Sequence, residues 1–147
     1  MEALSELLKE YALTTYSMKP NRLVIEIPRE RVKDALKAIK EKYGDTGIYV
    51  STIVGTDFPD KKQVRLDYYL VTHPDDNVYV LRTWLPREDP RVDSILDLFP
   101  GAFSGECETH DLLGVVFEGN PFIKRGFFVP TDITSKGVFP LRKDSGV

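Results

Sequence analysis

Hydrophobic residues recur at helical spacing in two stretches near the start of the chain. In each stretch they fall every three or four positions between charged residues, which is the spacing that lines one face of an α-helix. The second stretch follows Pro28, which suits a first helical turn, and stops before Gly44, which is typical of a helix end. We therefore predict two amphipathic helices. Their apolar faces are formed by Leu4, Leu7, Leu8 and Tyr11 and by Val32, Leu36, Ile39 and Tyr43.

Four other stretches have the residues and spacing of β-strands. Arg22 to Ile27 is a short run rich in β-branched residues, and Pro28 closes it. Three longer stretches, separated by turn-forming residues, follow the second helix. They are Ile48 to Thr56, Gln63 to Thr72 and Asn77 to Leu85. An interruption of regular structure is predicted at Lys19, Pro20 and Asn21.

The middle one of these three strands alternates between apolar and polar side chains. Val64, Leu66, Tyr68 and Leu70 alternate with Arg65, Asp67 and Tyr69. This pattern predicts a sheet with one buried face and one partly exposed face, so that helices must cover the buried face. The order of elements predicts an α+β fold. We expect a two-layer domain with a mixed, mostly antiparallel sheet of about four strands and helices on one face.

Two more helices are expected after the strands. A short helix is predicted from the apolar residues Val92, Ile95, Leu96 and Phe99. A longer helix is predicted from Ala102 to Leu113, because Gly114 is the residue type that commonly follows a helix end.

Residues 118–147 show neither a helical nor a strand period, and they contain three prolines and four glycines. Five of the eight phenylalanines nevertheless lie between Phe117 and Phe139. A solvated tail would gain nothing from exposing them. We therefore predict a domain over residues 1–117 and an extended docking arm over residues 118–147. An irregular tail that packs on its own domain is equally compatible with the sequence.

Composition removes several classes of function. The chain has 147 residues, which suits one core, and Cys107 is its only cysteine. An internal disulfide and a cysteine-built iron–sulfur or zinc site are therefore excluded. The net charge of −3 gives no general attraction for nucleic acid, and no apolar run approaches the ~20 residues that cross a bilayer. Few amide side chains beside 29% charged residues are typical of thermophilic proteins.

The segment from Glu106 to Asp111 contains the highest concentration of potentially reactive side chains, with acids, a thiol and an imidazole. At about 100° per residue, Glu106 and His110 share one helical face while Cys107 and Glu108 face elsewhere. The groups diverge, and nucleotide-binding and zinc-hydrolase motifs are absent from the sequence. We expect no metal, no cofactor and no catalytic residue. Two other functions stay open, an acid–base enzyme using Glu106, Glu108 and His110, and a metabolite-binding regulatory module.

The segment from Glu106 to Phe117 resembles the signature of the C subunit of respiratory complex I, the thirty-kilodalton subunit family. Five residues fit that signature: Glu106, Glu108, Asp111, Gly114 and Phe117. Cys107 and His110 stand where arginine and an aromatic residue are usual. The resemblance covers the chain from about Ile48 onward. It includes Leu85 to Val92, Phe99 to Ala102, Gly119 to Pro121 and Pro140 to Asp144.

The resemblance implies a cofactor-free subunit in the hydrophilic arm of a complex-I-related membrane oxidoreductase that couples electron transfer to ion translocation. Its partners would be the large catalytic subunit and the small iron–sulfur subunit. It would lie on the cytoplasmic side of the cell membrane and touch the membrane only through the complex. The short tail is most similar to the branch found in membrane-bound nickel–iron hydrogenases and related ferredoxin-dependent complexes. The resemblance places subunit contacts at Glu106, Glu108, Asp111, Gly114, Phe117, Arg125, Phe127, Phe128, Pro140, Leu141, Arg142, Lys143 and Asp144.

Overall fold

Helices and strands occupy most of the first two thirds of the chain, and long stretches of irregular structure lie in the last third. The computed structural model describes residues 2–18 and 21–147, so that the interruption predicted at Lys19 and Pro20 lies outside the described residues. The helices are α1 (Glu2–Leu7), α2 (Val32–Tyr43), α3 (Phe103–Leu113) and α4 (Thr131–Thr134). The strands are β1 (Thr14–Met18), β2 (Arg22–Glu26), β3 (Ile48–Phe58), β4 (Gln63–Thr72), β5 (Val78–Pro86), β6 (Arg91–Asp93) and β7 (Val116–Glu118).

Strands β1 to β5 form one sheet in the order β1-β2-β5-β4-β3. Strands β2 and β5 are parallel, and the other neighbours are antiparallel. Ile25 of β2 pairs with Leu81 of β5, and Leu81 pairs in turn with Tyr68 of β4. The predicted α+β fold with a mixed, mostly antiparallel sheet is confirmed, and the sheet has one strand more than predicted.

The additional strand is β1, at one edge of the sheet. All five of its residues are exposed, and it pairs only with β2. A strand without a buried side chain shows no alternation of apolar and polar residues, because that alternation reports burial of one face. The hydrophobic pattern therefore could not reveal β1.

The core lies between one face of this sheet and the helices. The apolar stripe predicted for α2 is buried and belongs to the same cluster as Leu4 and Leu8, while Tyr43 at its end is partly exposed. Gly44 ends α2 as predicted, with a φ angle of 76° that favours glycine. Within the two described ranges, no helix is both long and apolar enough to cross a membrane.

The helix predicted through Val92, Ile95, Leu96 and Phe99 is wrong. Residues 91–93 instead form β6, which pairs in parallel with β7, and a turn follows over residues 96–98. Ile95 is fully buried and Phe99 is nearly so, which explains why apolar residues occur at those positions. Pairing with β7, more than twenty residues away, overrides the local period.

Helix α3 ends at Gly114, as predicted, and packs closely on β3. A Cβ atom added at Gly55 of β3 would lie 2.3 Å from Cδ1 of Leu113. A Cβ atom added at Gly105 of α3 would lie 3.2 Å from Cδ1 of Ile53. The two glycines therefore permit α3 to approach the sheet more closely than larger residues would.

We expect Gly55→Ala to destabilise the protein by about 1–3 kcal/mol, because its methyl group would displace the buried side chain of Leu113. Denaturant titration followed by circular dichroism measures this loss. Gly101→Ala is the matched control, since a Cβ atom there would meet no atom within 4 Å. Equal stability of the two variants would show that the α3–β3 contact tolerates a larger spacing.

Candidate functional site

Two fully buried carboxylates, Glu106 and Asp111, lie on α3. They are five residues apart, which at 100° per residue separates their directions by about 140°. Each therefore contacts a different part of the chain. Glu106 accepts hydrogen bonds from the loop before α3, and Asp111 accepts them from residues 125–129 after it. A buried carboxylate is unfavourable without such partners.

Asp111 organises a segment that has no regular structure of its own. Its Oδ1 accepts from Nε of Arg125 and the amide of Gly126, each at 3.0 Å. Its Oδ2 accepts from the amides of Phe128 and Val129, both at 2.7 Å. Burial alone would raise the pKa of Asp111, but these hydrogen bonds outweigh it and lower the pKa to about 2. The carboxylate is therefore ionised and holds residues 125–129 in place.

Glu106 has the opposite electrostatic environment. It accepts from the hydroxyl of Ser94 at 2.6 Å and 3.0 Å, from the amide of Ile95 at 3.2 Å and from Nδ2 of Asn120 at 3.4 Å. These partners are neutral. Burial raises the pKa of Glu106 above its ordinary value, although the hydrogen bonds oppose the shift. Glu106 thus joins the loop at Ser94 to the turn at Asn120.

A third buried carboxylate, Asp57 at the end of β3, fixes residues near 143. It accepts two hydrogen bonds from the guanidinium of Arg87, at 2.7 Å and 2.9 Å, and one from the amide of Lys143 at 2.8 Å. The bond with Arg87 lowers the pKa of Asp57 despite its burial. Arg87 also donates to Asp144 at 2.7 Å. One arginine therefore links β3 to the segment after residue 140.

Backbone hydrogen bonds attach residues 141–142 to the end of α3. The amide of Leu141 donates to the carbonyl of Leu112 at 2.9 Å. The guanidinium of Arg142 donates to the carbonyls of Leu113, at 2.8 Å, and of Arg87, at 3.2 Å. The carbonyls of Leu112 and Leu113 at the helix end have no partner within the helix, so the amide of Leu141 and the guanidinium of Arg142 satisfy acceptors that the helix leaves open.

The aromatic ring of Phe139 lies against Gly114. A Cβ atom added at Gly114 would lie 3.0 Å from the ring, and its φ angle of +81° also favours glycine. The guanidinium carbons of Arg125 and Arg142 lie 4.2 Å and 5.6 Å from the ring centre, within the range of cation–π attraction. The glycine of the signature therefore makes room for an aromatic residue of the C-terminal segment.

Three exposed phenylalanines of the attached segment cluster around the half-buried Phe103 of α3. We call this cluster the phenylalanine patch: Phe103, Phe122, Phe127 and Phe128. Ring centres lie 5.3 Å apart for Phe103 and Phe122, and 5.7 Å apart for Phe103 and Phe127. Phe128 is 55% exposed although it contacts Phe127 with ring centres at 4.9 Å. An exposed apolar cluster of this kind on a folded protein is typical of a protein-binding surface.

Four of the residues expected at subunit contacts, Glu106, Asp111, Gly114 and Phe117, are buried within the chain in this conformation. The other residues expected at subunit contacts remain accessible. Glu108, Phe127, Phe128, Leu141, Lys143 and Asp144 are exposed, and Arg125, Pro140 and Arg142 are half-buried.

The groups considered for acid–base catalysis do not converge. Glu106 is buried with Ser94, Glu108 is exposed, and Nδ1 of His110 lies 2.9 Å from the carbonyl oxygen of Val115. Burial raises the pKa of the Cys107 thiol. No group of three histidine, cysteine or acidic side chains that could hold a metal ion occurs among residues 2–18 and 21–147.

Sequence reasoning did not identify the residues that attach the C-terminal segment to the domain. Asp57 lay in a stretch interpreted only as a turn, and Ser94 lay in a predicted helix. Arg87 and Asn120 stand in segments that carry the family resemblance, which was the available signal. The contacting residues are distant in sequence, and Asp57 and Lys143 are 86 positions apart.

Comparison with known proteins places the fold among subunits of respiratory complexes. Residues 25–147 match the family model of the respiratory-chain NADH dehydrogenase 30 Kd subunit. NADH-quinone oxidoreductase subunit 5 of Thermus thermophilus is 32% identical over 154 residues, covering 96% of this chain and 71% of that protein.

Two solved structures are similar in fold. A chain of the membrane-bound sulfane sulfur reductase, an archaeal respiratory membrane complex, has a TM-score of 0.82 and 25% identity, covering 97% of this chain and 83% of that one. The trypsin-resistant fragment 1–134 of Nqo5 has a TM-score of 0.69 and 30% identity, covering 82% of this chain and 96% of that one.

We expect Asp111→Asn to destabilise the protein by about 2–4 kcal/mol at neutral pH, because an amide group would face two buried N–H donors that then lose their acceptor. Glu106→Gln is the matched variant and should cost less, since its neutral partners tolerate an uncharged acceptor. Denaturant titration measures both losses. A larger loss for Glu106→Gln would contradict the assignment of Asp111 as the main attachment.

The two carboxylates should also give opposite dependence on pH. Asp111 has a folded pKa of about 2 against an ordinary 3.8, so its stabilising effect is complete above about pH 4 and is lost as the pH falls towards 2. The folded pKa of Glu106 is raised above 4.5, so stability falls as the pH rises from there. The free energy of unfolding of wild type, Asp111→Asn and Glu106→Gln, measured across pH, tests both pH dependences. Curves for the two variants that run parallel to that of wild type would refute both.

Proposed function

The chain belongs to the respiratory-chain NADH dehydrogenase 30 Kd subunit family, which its sequence resembles, and we propose that it is a cofactor-free structural subunit of a complex-I-related membrane oxidoreductase. In this role it joins the large catalytic subunit to the small iron–sulfur subunit in the hydrophilic arm. It lies on the cytoplasmic side of the cell membrane, as part of a complex that couples electron transfer to ion translocation.

The observation that carries this proposal is the attachment of an irregular segment that exposes a phenylalanine patch. Three buried carboxylates accept hydrogen bonds from residues 125–129, from Asn120 and from Lys143. An ordered segment that already presents its aromatic residues loses less conformational entropy when a partner binds. This arrangement favours a docking surface over a catalytic pocket.

Charge supports the same role. Residues 118–147 contain five basic and three acidic side chains, whereas the whole chain has a net charge of −3. Lys124, Lys136 and Lys143 are exposed. We expect acidic groups of the partner subunits to lie against these lysines while the phenylalanine patch supplies the apolar centre of the interface.

The relatives support a structural role in a further way. One is named for NADH and quinone and another belongs to a sulfane sulfur reductase, so that proteins with this fold occur in complexes with different substrates. A subunit that holds other subunits together can be kept while the redox chemistry changes. The similarity to the sulfane sulfur reductase chain, over 97% of this chain, supports the hydrogenase-type or ferredoxin-dependent branch.

We expect the double variant Phe127→Ser and Phe128→Ser to fold normally but to be recovered with the membrane complex at least about tenfold less than wild type, because buried aromatic residues dominate interface energies. Affinity purification from the native organism, with quantification of each subunit by mass spectrometry, measures this recovery. Turnover per assembled complex should be unchanged.

Tyr49→Ser is the control, because Tyr49 is 53% exposed on β3, close to the exposure of Phe128, but lies outside the patch. Full recovery of the double variant would refute the docking surface. Full assembly with a large loss of turnover would instead place the patch in the chemistry.

A further inference from the structure

The face of the five-stranded sheet opposite the core carries a second arrangement of charged and aromatic residues. Its side chains alternate with the core residues along each strand, and Val24 and Val80 are buried on it outside the main apolar cluster. We call it the outer sheet face. Its charged residues are Arg22, Glu26, Lys61, Arg65, Asp67 and Arg82, and its aromatic residues include Tyr16, Phe58, Tyr69 and Trp84.

One acidic residue of the outer sheet face is used internally. Asp67 is almost fully buried and accepts two hydrogen bonds from the guanidinium of Arg82, at 2.8 Å and 3.2 Å. Nε of Arg65 lies 3.3 Å from Asp67. Arg82 also donates to the hydroxyl of Tyr16 at 2.6 Å. Asp67 therefore positions two arginines across neighbouring strands.

Positive charge is in excess on the outer sheet face. Four basic residues lie there with two acidic ones, although the whole chain has a net charge of −3. Among the described residues, neither Arg22 nor Lys61 lies within salt-bridge distance of a carboxylate, and both are exposed. The face therefore attracts negative charge on a protein whose net charge would repel it.

An open cavity of about 520 Å³ with both apolar and polar lining residues lies at one end of this face. Leu13, Ile27, Pro28 and Trp84 form its apolar walls, and Lys61, Glu26 and Gln63 complete it. Glu26 lies beside the indole nitrogen of Trp84 at 3.5 Å. Leu13 is 71% exposed, so that its side chain is available to an apolar group of a partner. The cavity can accept one large apolar side chain next to the ammonium group of Lys61.

We propose that the outer sheet face binds an extended acidic segment of a partner protein, with one large apolar side chain of that segment in the cavity beside Trp84. Acidic side chains of the segment pair with Lys61 and Arg22. This surface lies across the sheet from α3 and the phenylalanine patch. It is therefore a second docking site, separate from the one proposed for the C-terminal segment.

The aromatic residues favour a protein partner over a single-stranded nucleic acid. Lys61 lies 4.9 Å from the ring centre of Trp84, and Arg65 lies 5.2 Å from that of Phe58. Arg22 lies 5.8 Å from the ring centre of Tyr69. Nucleic-acid bases need bare rings for stacking, whereas here cations already cover the rings and present charge outward.

Two synthetic peptides test the proposal. One contains glutamates around a central phenylalanine, and the other has alanine at the centre. Fluorescence anisotropy with the full chain measures their affinities at low salt and at physiological salt. We expect both to bind, the phenylalanine peptide about tenfold more tightly, and both to weaken as salt rises. Failure of the wild-type chain to bind either peptide would overturn the proposal.

Charge reversal locates the binding surface. Arg22→Glu with Lys61→Glu should weaken both peptides by at least about tenfold, since it replaces two attractions by repulsions. Lys37→Glu with Lys136→Glu is the matched control, because these exposed lysines lie on α2 and in the C-terminal segment and give the same change of net charge. Equal weakening by both pairs would show that net charge alone is responsible and would overturn the site.

A third variant tests the cavity. Leu13→Ser removes an exposed apolar wall and should abolish the preference for the phenylalanine peptide while leaving the alanine peptide unaffected. Circular dichroism melting confirms that each variant is folded. An unchanged preference would refute the cavity as the apolar subsite. Tighter binding of oligothymidylate than of either peptide, lost in Arg22→Glu with Lys61→Glu, would replace the acidic protein segment by a nucleic acid.

Discussion

The carboxylate of Asp111 determines the position of the C-terminal third of the molecule. Residues 125–129 have no helix or strand to satisfy their amides, and one buried carboxylate accepts three of these amides and a guanidinium. Hydrogen bonds to an ionised acceptor are stronger than those between neutral groups, and a low-dielectric site strengthens them further. The placement of the phenylalanine patch therefore depends on where α3 lies on β3, and Gly55 and Gly105 make that close packing possible.

Three residues shared with the signature, Glu106, Asp111 and Gly114, each hold another part of the same chain in place. A signature of buried polar residues on one helix is consistent with a family that preserves the shape of a surface. The accessible residues of that surface then provide the contacts with other subunits, which is the role we propose for the phenylalanine patch.

Periodicity predicted α2 and β4 because each buries one face in a regular element, and the boundaries of β4 matched residue for residue. Helix α3 was predicted from Gly114, which follows its last residue. It could not predict β1, which is exposed throughout, or the β6–β7 pair, which contains three residues a strand and depends on a distant partner. The divergence of Glu106 from Cys107 and Glu108 followed from helical geometry alone. The partners of these acids did not, since Ser94, Phe128 and Lys143 are brought to them by the tertiary fold.

The contact between Asp57 and the amide of Lys143 also sets an order of events during synthesis. The ribosome makes Lys143 86 residues after Asp57, and the sheet can form before that residue exists. Before Lys143 is made, Arg87 can already donate its hydrogen bonds to Asp57, but the segment around residue 141 has not yet bound to the end of α3. A nascent or truncated chain therefore lacks the complete attachment of its aromatic surface. In the role we propose, such a chain would join the other subunits less readily, because its aromatic surface would not be held in place.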